Sequence, residues 1–218
     1  MMVNPTLRTW ACESPTFNAS LPNQGRTWYS GGALRIDPSS ASLWVAKAIR
    51  AEHFEAESPV PRMKACKNPV ELRGMRAAHL RDGVALVRFL HWLEGAWPQG
   101  LDELSAAARL DALRAEGKCF QDLSFPTISG FGPNGAIVHY RVTRETALPV
   151  DDSALYLVDS GAQYLDGTTD VTRTIHLGHP REVERSHYTR VLRGHLALRH
   201  TRFPRTANGA QLDAIARR

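Results

Sequence analysis

Apolar residues recur at near-helical spacing through Leu72, Met75, Leu80, Val84, Val87, Leu90 and Leu93, which predicts one long helix. Asn68 is placed to cap it, Pro69 falls at its first helical position and Glu71 stands three residues after the cap. Gly95 and Pro98 end it. A second helix is predicted from about Asp102 to Glu116, stopped by Gly117. Beyond it the period changes, and residues 123–128, 136–140, 154–159 and 169–177 read as strands. The cluster Gly130-Phe131-Gly132-Pro133-Asn134-Gly135 and the pair Asp166-Gly167 read as turns. Pro180 opens a helix to about residue 203, and another starts at Ala210. Upstream lie a short strand over 33–36, a short helix over 39–49, and a weakly patterned stretch, 1–33. Ser58-Pro59-Val60-Pro61 reads as a stiff extended link. Helices, a run of strands, then helices again is an α+β order.

Composition narrows the class. Of 218 residues, 43% are hydrophobic and 22% charged, enough for a real core and too apolar for a disordered chain. No stretch approaches ~20 uninterrupted apolar residues, so no membrane span is expected. Residues 1–20 show no apolar signal core. Cys12, Cys66 and Cys119 form no Cys-x-x-Cys pair, which favours neither a disulfide framework nor a zinc finger and fits a cytoplasmic setting. The net charge is +5, and ten arginines lie from Arg173 onward against only Glu182, Glu184 and Asp213. Such a basic end can mark a nucleic-acid partner. These arginines are spread along an amphipathic helix without interleaved aromatics, so a solvated face and no nucleic-acid partner are expected. The chain stops inside a helical pattern with no Gly or Pro stop, as a piece of a longer protein would.

The candidate chemistry centres on two aspartates. Asp159 ends an apolar strand and Asp170 stands near the start of the next. If the chain folds back about their midpoint, they face each other with Cβ atoms ~5 Å apart. Two carboxylates so close repel, and a divalent cation between them relieves the repulsion. By alternation Thr172 and Thr174 share the face of Asp170, where they could supply supporting hydrogen bonds, while Val171 and Ile175 point into a core. On geometry alone a second reading stands beside this one: Asp159 as a turn-former and Asp170 as an edge-strand charge. His139 is one of nine histidines, and spacing does not single it out.

The words around these residues add to that reading. Val158 through Thr174, with its Asp159-Ser160-Gly161-Ala162-Gln163-Tyr164 and Gly167-Thr168-Thr169-Asp170-Val171-Thr172-Arg173-Thr174, closely resembles the first metal-binding segment of the Xaa-Pro aminopeptidase family. So do Phe125-Pro126-Thr127-Ile128-Ser129 and Gly132-Pro133-Asn134-Gly135-Ala136-Ile137-Val138-His139-Tyr140. The resemblance runs from about residue 34 to 218 and implies the first half of a pita-bread (creatinase-type) α+β fold over 62–218. Residues 1–61 would be the remnant of a preceding creatinase-like domain and its linker. It implies Asp159 and Asp170 as ligands of a two-metal centre, usually Mn2+, an ion suited to hard oxygen donors. His139 would lie in the substrate pocket and Thr172 would support the ligands. The implied reaction releases the N-terminal residue of peptides with proline in second position, by metal-activated hydroxide attack. Peptide would be the partner, with no nucleic acid and no membrane, and full-length relatives would form homodimers. The family pattern also needs a ligating histidine, a second pocket histidine and two glutamates. His176, His179, His187, His195, His200, Glu182, Glu184 and Asp213 match none of these motifs, so weak activity is expected of this chain alone. A non-catalytic protein-binding module on the same fold is the alternative, though such a module has no physical need of a repulsive acidic pair.

Overall fold

The computed structural model describes residues 34–48 and 53–217; the stretch 1–33, Cys12 among it, lies outside the described residues. The chain forms two compact units divided between Cys66 and Lys67. In the first, β1 (Leu34–Ile36) pairs in parallel with β2 (His53–Glu55), and α1 (Leu43–Ala48) lies between them in sequence. The expected extended link at 58–61 instead opens a short helix, α2 (Val60–Ala65), with Pro59 at φ −72° and ψ −19°. Proline's fixed φ suits a first helical turn, whose N–H groups have no intrahelical partner in any case.

The second unit opens with α3 (Pro69–Ala96), capped as the sequence predicts. Asn68 Oδ1 accepts from the N–H groups of Val70 and Glu71 at 2.9 and 3.0 Å, and Glu71 reaches back to the Asn68 N–H at 2.8 Å. Its buried face follows the apolar periodicity only in part, with Leu93 in the core and Leu90 packed against it. Ala78, Asp82, Ala85, Leu86, Phe89 and Leu93 turn inward, while Leu80, Val84 and Val87 are exposed. A two-residue strand β3 (Leu101–Asp102) leads into α4 (Glu103–Ala115), with Asp102 as its cap. The long strand β4 (Phe120–Phe131) follows, then β5 (Pro149–Val150), which pairs with β3. β6 (Leu155–Tyr164), β7 (Gly167–Thr168) and β8 (Val171–His176) complete an antiparallel sheet in which β6 is central, flanked by β4 on one side and by β7 and β8 on the other. Two helices close the order, α5 (Glu182–His200) and α6 (Gly209–Arg217).

The core lies between α3, α4 and one face of the sheet. Tyr156 and Val158 of β6 meet Phe89, Leu93 and Leu110 there, with Val171 and Ile175 of β8 packed against them. Alternation then sends Leu157, Asp159 and Thr172 to the opposite face. Residues 136–140 do not form the expected strand. Gly132–Ala136 is a 3-10 turn and His139 sits in a following turn. Gly132 and Pro133 favour that tight turn, and the bonds of Asn134 and Tyr140 go to a buried side chain rather than to a neighbouring strand.

One polar cluster lies inside this core. The Arg114 guanidinium grips Asp82 through two bonds of 2.8 and 3.0 Å, and the Tyr164 hydroxyl donates to the same carboxylate at 3.1 Å. Burial, with the Asp82 charge beside it, pushes the Tyr164 phenol up from 10.0 to about 12. The phenol ionises earlier in the unfolded chain than in the folded one. Its contribution is therefore whole below pH 10 and lost as pH rises to about 12. We expect wild-type stability to fall by up to about 2 kcal/mol more than that of Tyr164→Phe across this window, as read from urea midpoints. Parallel curves would contradict this.

Candidate metal centre

Asp159 lies mid-way along β6 and is half-buried. Thr172 of β8 is directly across the ladder, and its hydroxyl donates to Asp159 Oδ1 at 2.8 Å. Asp170 is therefore not opposite Asp159, as a fold-back about their midpoint would have it. The ladder pairs Ser160 with Val171 and Gln163 with Thr168, which brings Asp170 across from Gly161. The cause is the turn. It falls at Leu165-Asp166, one residue beyond the Tyr164-Leu165 midpoint of the two aspartates and one residue before the expected Asp166-Gly167, because Tyr164 and Gly167 are already paired strand residues. Gly167 lies under α3, where a Cβ would stand 3.0 Å from Ala78 and 3.1 Å from Met75. Arg81 holds the turn from the helix side through an ion pair to Asp166 and lies over the Tyr164 ring, 5.0 Å from its centroid.

The shift is two residues, so alternation still carries Asp170 to the face of Asp159. The pair become diagonal neighbours, roughly 7 Å apart along the backbone and within reach of side chains. Gly161, across from Asp170, adds no side chain to that face. Among the described residues neither carboxylate has a cationic partner, whereas Asp82, Asp166 and Asp213 do. Unpaired acidic oxygens on one face, with a hydroxyl orienting one of them, are the donor chemistry of a hard divalent cation. They make only part of a donor set: among the described residues no three His, Cys, Asp or Glu side chains converge as a metal cage.

His139 is exposed and has φ +55°. Among the described residues no hydrogen bond or ion pair joins it to either aspartate. Its loop leaves β4 after Phe131, which pairs with Tyr156 of β6, and is tied to Glu103, a fully buried carboxylate on α4. Glu103 carries no sequence signal beyond its place after a helix cap, so hydrophobic patterning passes over it. Of the other acidic and imidazole groups named above, His176, Glu184, His200 and Asp213 make local bonds. Glu184 takes the Arg181 side chain at 2.6 Å and stands 3.7 Å from His176 Nε2. Asp213 pairs with Arg217.

The family model for metallopeptidase family M24 matches residues 73–218. A probable Xaa-Pro aminopeptidase P of Neosartorya fischeri is 50% identical over 170 residues, 76% of this chain and 26% of that protein. Aminopeptidase P1 of Lotus japonicus is 46% identical over 212 residues, 86% of this chain and 32% of its own. Among solved structures, an X-prolyl aminopeptidase from Caenorhabditis elegans, described as a cytosolic enzyme with a di-nuclear active site, superposes with a TM-score of 0.70 at 40% identity, covering 76% of this chain and 28% of that one. The chain thus spans between a quarter and a third of the length of these relatives.

Proposed function

The chain belongs to metallopeptidase family M24 and covers part of its pita-bread fold, and from that premise we propose that it carries part of the active site of an Xaa-Pro aminopeptidase. The reaction is release of the N-terminal residue from peptides with proline in second position. The observation that carries the reading is the Asp159 carboxylate, without a cationic partner among the described residues, fixed by the Thr172 hydroxyl and sharing its sheet face with Asp170. Asp159 and Asp170 would hold divalent ions, Mn2+ foremost. Such ions, when bound, acidify a water and polarise a carbonyl. Thr172 orients Asp159 through Oδ1, and Oδ2 carries no hydrogen bond among the described residues. His139, exposed on its loop, binds the peptide near the scissile bond. Two carboxylates hold a divalent ion weakly, so full activity belongs to a donor set completed by one histidine and two glutamates. The cytosolic relative supports a cytoplasmic setting. The complete form is a homodimer.

The test is release of arginine from an Arg-Pro-Pro peptide by this chain with Mn2+. Slow, chelator-sensitive turnover is expected. Turnover equal to that of a complete relative would overturn the assignment of weak activity. Undetectable Mn2+ binding by calorimetry would overturn the ligand assignment itself. Thr172→Val keeps a β-branched residue at an exposed strand position and removes the supporting bond. It is expected to weaken Mn2+ binding roughly 10–100-fold with an unchanged melting temperature.

A further inference from the structure

The loop over residues 132–148 is built around one carboxylate. Glu103 stands in the first turn of α4, where a negative charge is favoured, and is fully buried. Its Oε1 accepts from the Phe131 N–H at 2.6 Å and from Asn134 Nδ2 at 3.1 Å. Its Oε2 accepts from Asn134 Nδ2 at 3.1 Å, the Tyr140 hydroxyl at 3.0 Å and the Leu148 N–H at 3.1 Å. The Glu103 N–H returns a bond to the Leu148 carbonyl at 3.1 Å. Both feet of the loop and two points within it are thus tied to a single side chain. The Tyr140 hydroxyl and Asn134 Nδ2 also lie 3.2 and 3.1 Å from the Thr146 carbonyl. His139 precedes Tyr140 and takes a left-handed backbone, φ +55°. A residue with a side chain holds that conformation only where its surroundings impose it. Here the imposing contact is its buried neighbour Tyr140, with the Glu103 carboxylate on its hydroxyl.

We propose that Glu103 is a positioning residue, whose carboxylate closes the 132–148 loop and sets the backbone from which His139 presents its imidazole. The proposal rests on the reading of His139 as a peptide-binding residue. Glu103→Gln turns one acceptor oxygen into an NH2 group within a nest of donors, so at least one donor loses its partner. Tyr140→Phe removes one donor and leaves the buried ring, and it carries the test should Glu103→Gln not fold.

The readout is the imidazole resonances of histidine-labelled protein, with that of His139 identified by its loss in His139→Gln. In both variants the His139 signal is expected to shift and broaden while that of His176 stays in place. Titration with Arg-Pro-Pro should move the wild-type His139 signal, and Glu103→Gln should need roughly 10–100-fold more peptide for the same displacement. A lowered melting temperature with an unmoved His139 signal in both variants would make Glu103 a merely structural residue and overturn the proposal. A His139 signal that responds to Glu103→Gln but not to peptide in the wild type would support the positioning role and overturn the peptide-binding role of His139.

Discussion

Replacing Asp82 by alanine is expected to destabilise the chain by about 3–5 kcal/mol, because it leaves the Arg114 charge buried without a counter-ion. The Arg114 side chain is fully buried, and among the described residues its Nη1 has no partner. Asp82 takes both of its short bonds and that of the Tyr164 hydroxyl. Removing the carboxylate thus strands a guanidinium and a phenol between α3, α4 and β6. Urea denaturation followed by circular dichroism measures the loss, and a change below about 1 kcal/mol, the scale of an exposed pair, would contradict it. Asp82→Leu combined with Arg114→Met is expected to recover most of the stability, since apolar groups of similar volume replace a buried ion pair at little cost.

The second large effect concerns the sheet's other face. Asp159→Asn and Asp170→Asn each remove a charge with little change of shape. Each is expected to lower Mn2+ affinity by more than ~tenfold, or about 1.4 kcal/mol of binding free energy, and to take hydrolysis of Arg-Pro-Pro to background. Neither carboxylate has a cationic partner among the described residues, so folding stability should be unchanged or slightly raised by easing like-charge repulsion. Calorimetric Mn2+ titration beside a thermal melt separates the two effects. Retained affinity in both variants would remove the aspartates from the metal centre.

Local order was legible wherever it depends on residues a few positions apart. The Asn68–Glu71 box, the start of the second helix near Asp102 and the alternation that turns Val171 and Ile175 toward the core all follow from short-range chemistry. The 136–140 segment, unlike the turn before it, was not legible in this way. Its β-branched and aromatic residues read as a strand, yet the donors of Asn134 and Tyr140 are consumed by Glu103, about 30 residues away in sequence. The pairing of Asp159 was half legible. Parity carried both aspartates to one face, but the turn position depends on the contact of Gly167 with Ala78 and Met75 of α3. Any shift by an even number of residues preserves the face and changes the partner.

By itself the chain's order of residues determined the α+β class, the long capped helix and the sheet face that Asp159 shares with Asp170, because caps, periodicity and alternation act over one or two turns of backbone. Only the tertiary structure decided which side of α3 is buried. Asp82 turns inward with Phe89 and Leu93 while Leu80, Val84 and Val87 stay in solvent, since the Arg114 guanidinium offers a buried carboxylate the one partner that compensates its desolvation. Tertiary packing alone also made Thr172 the neighbour of Asp159 and gathered the His139 loop on Glu103. Register and buried hydrogen bonding are settled by groups far apart in the chain, which no local pattern records.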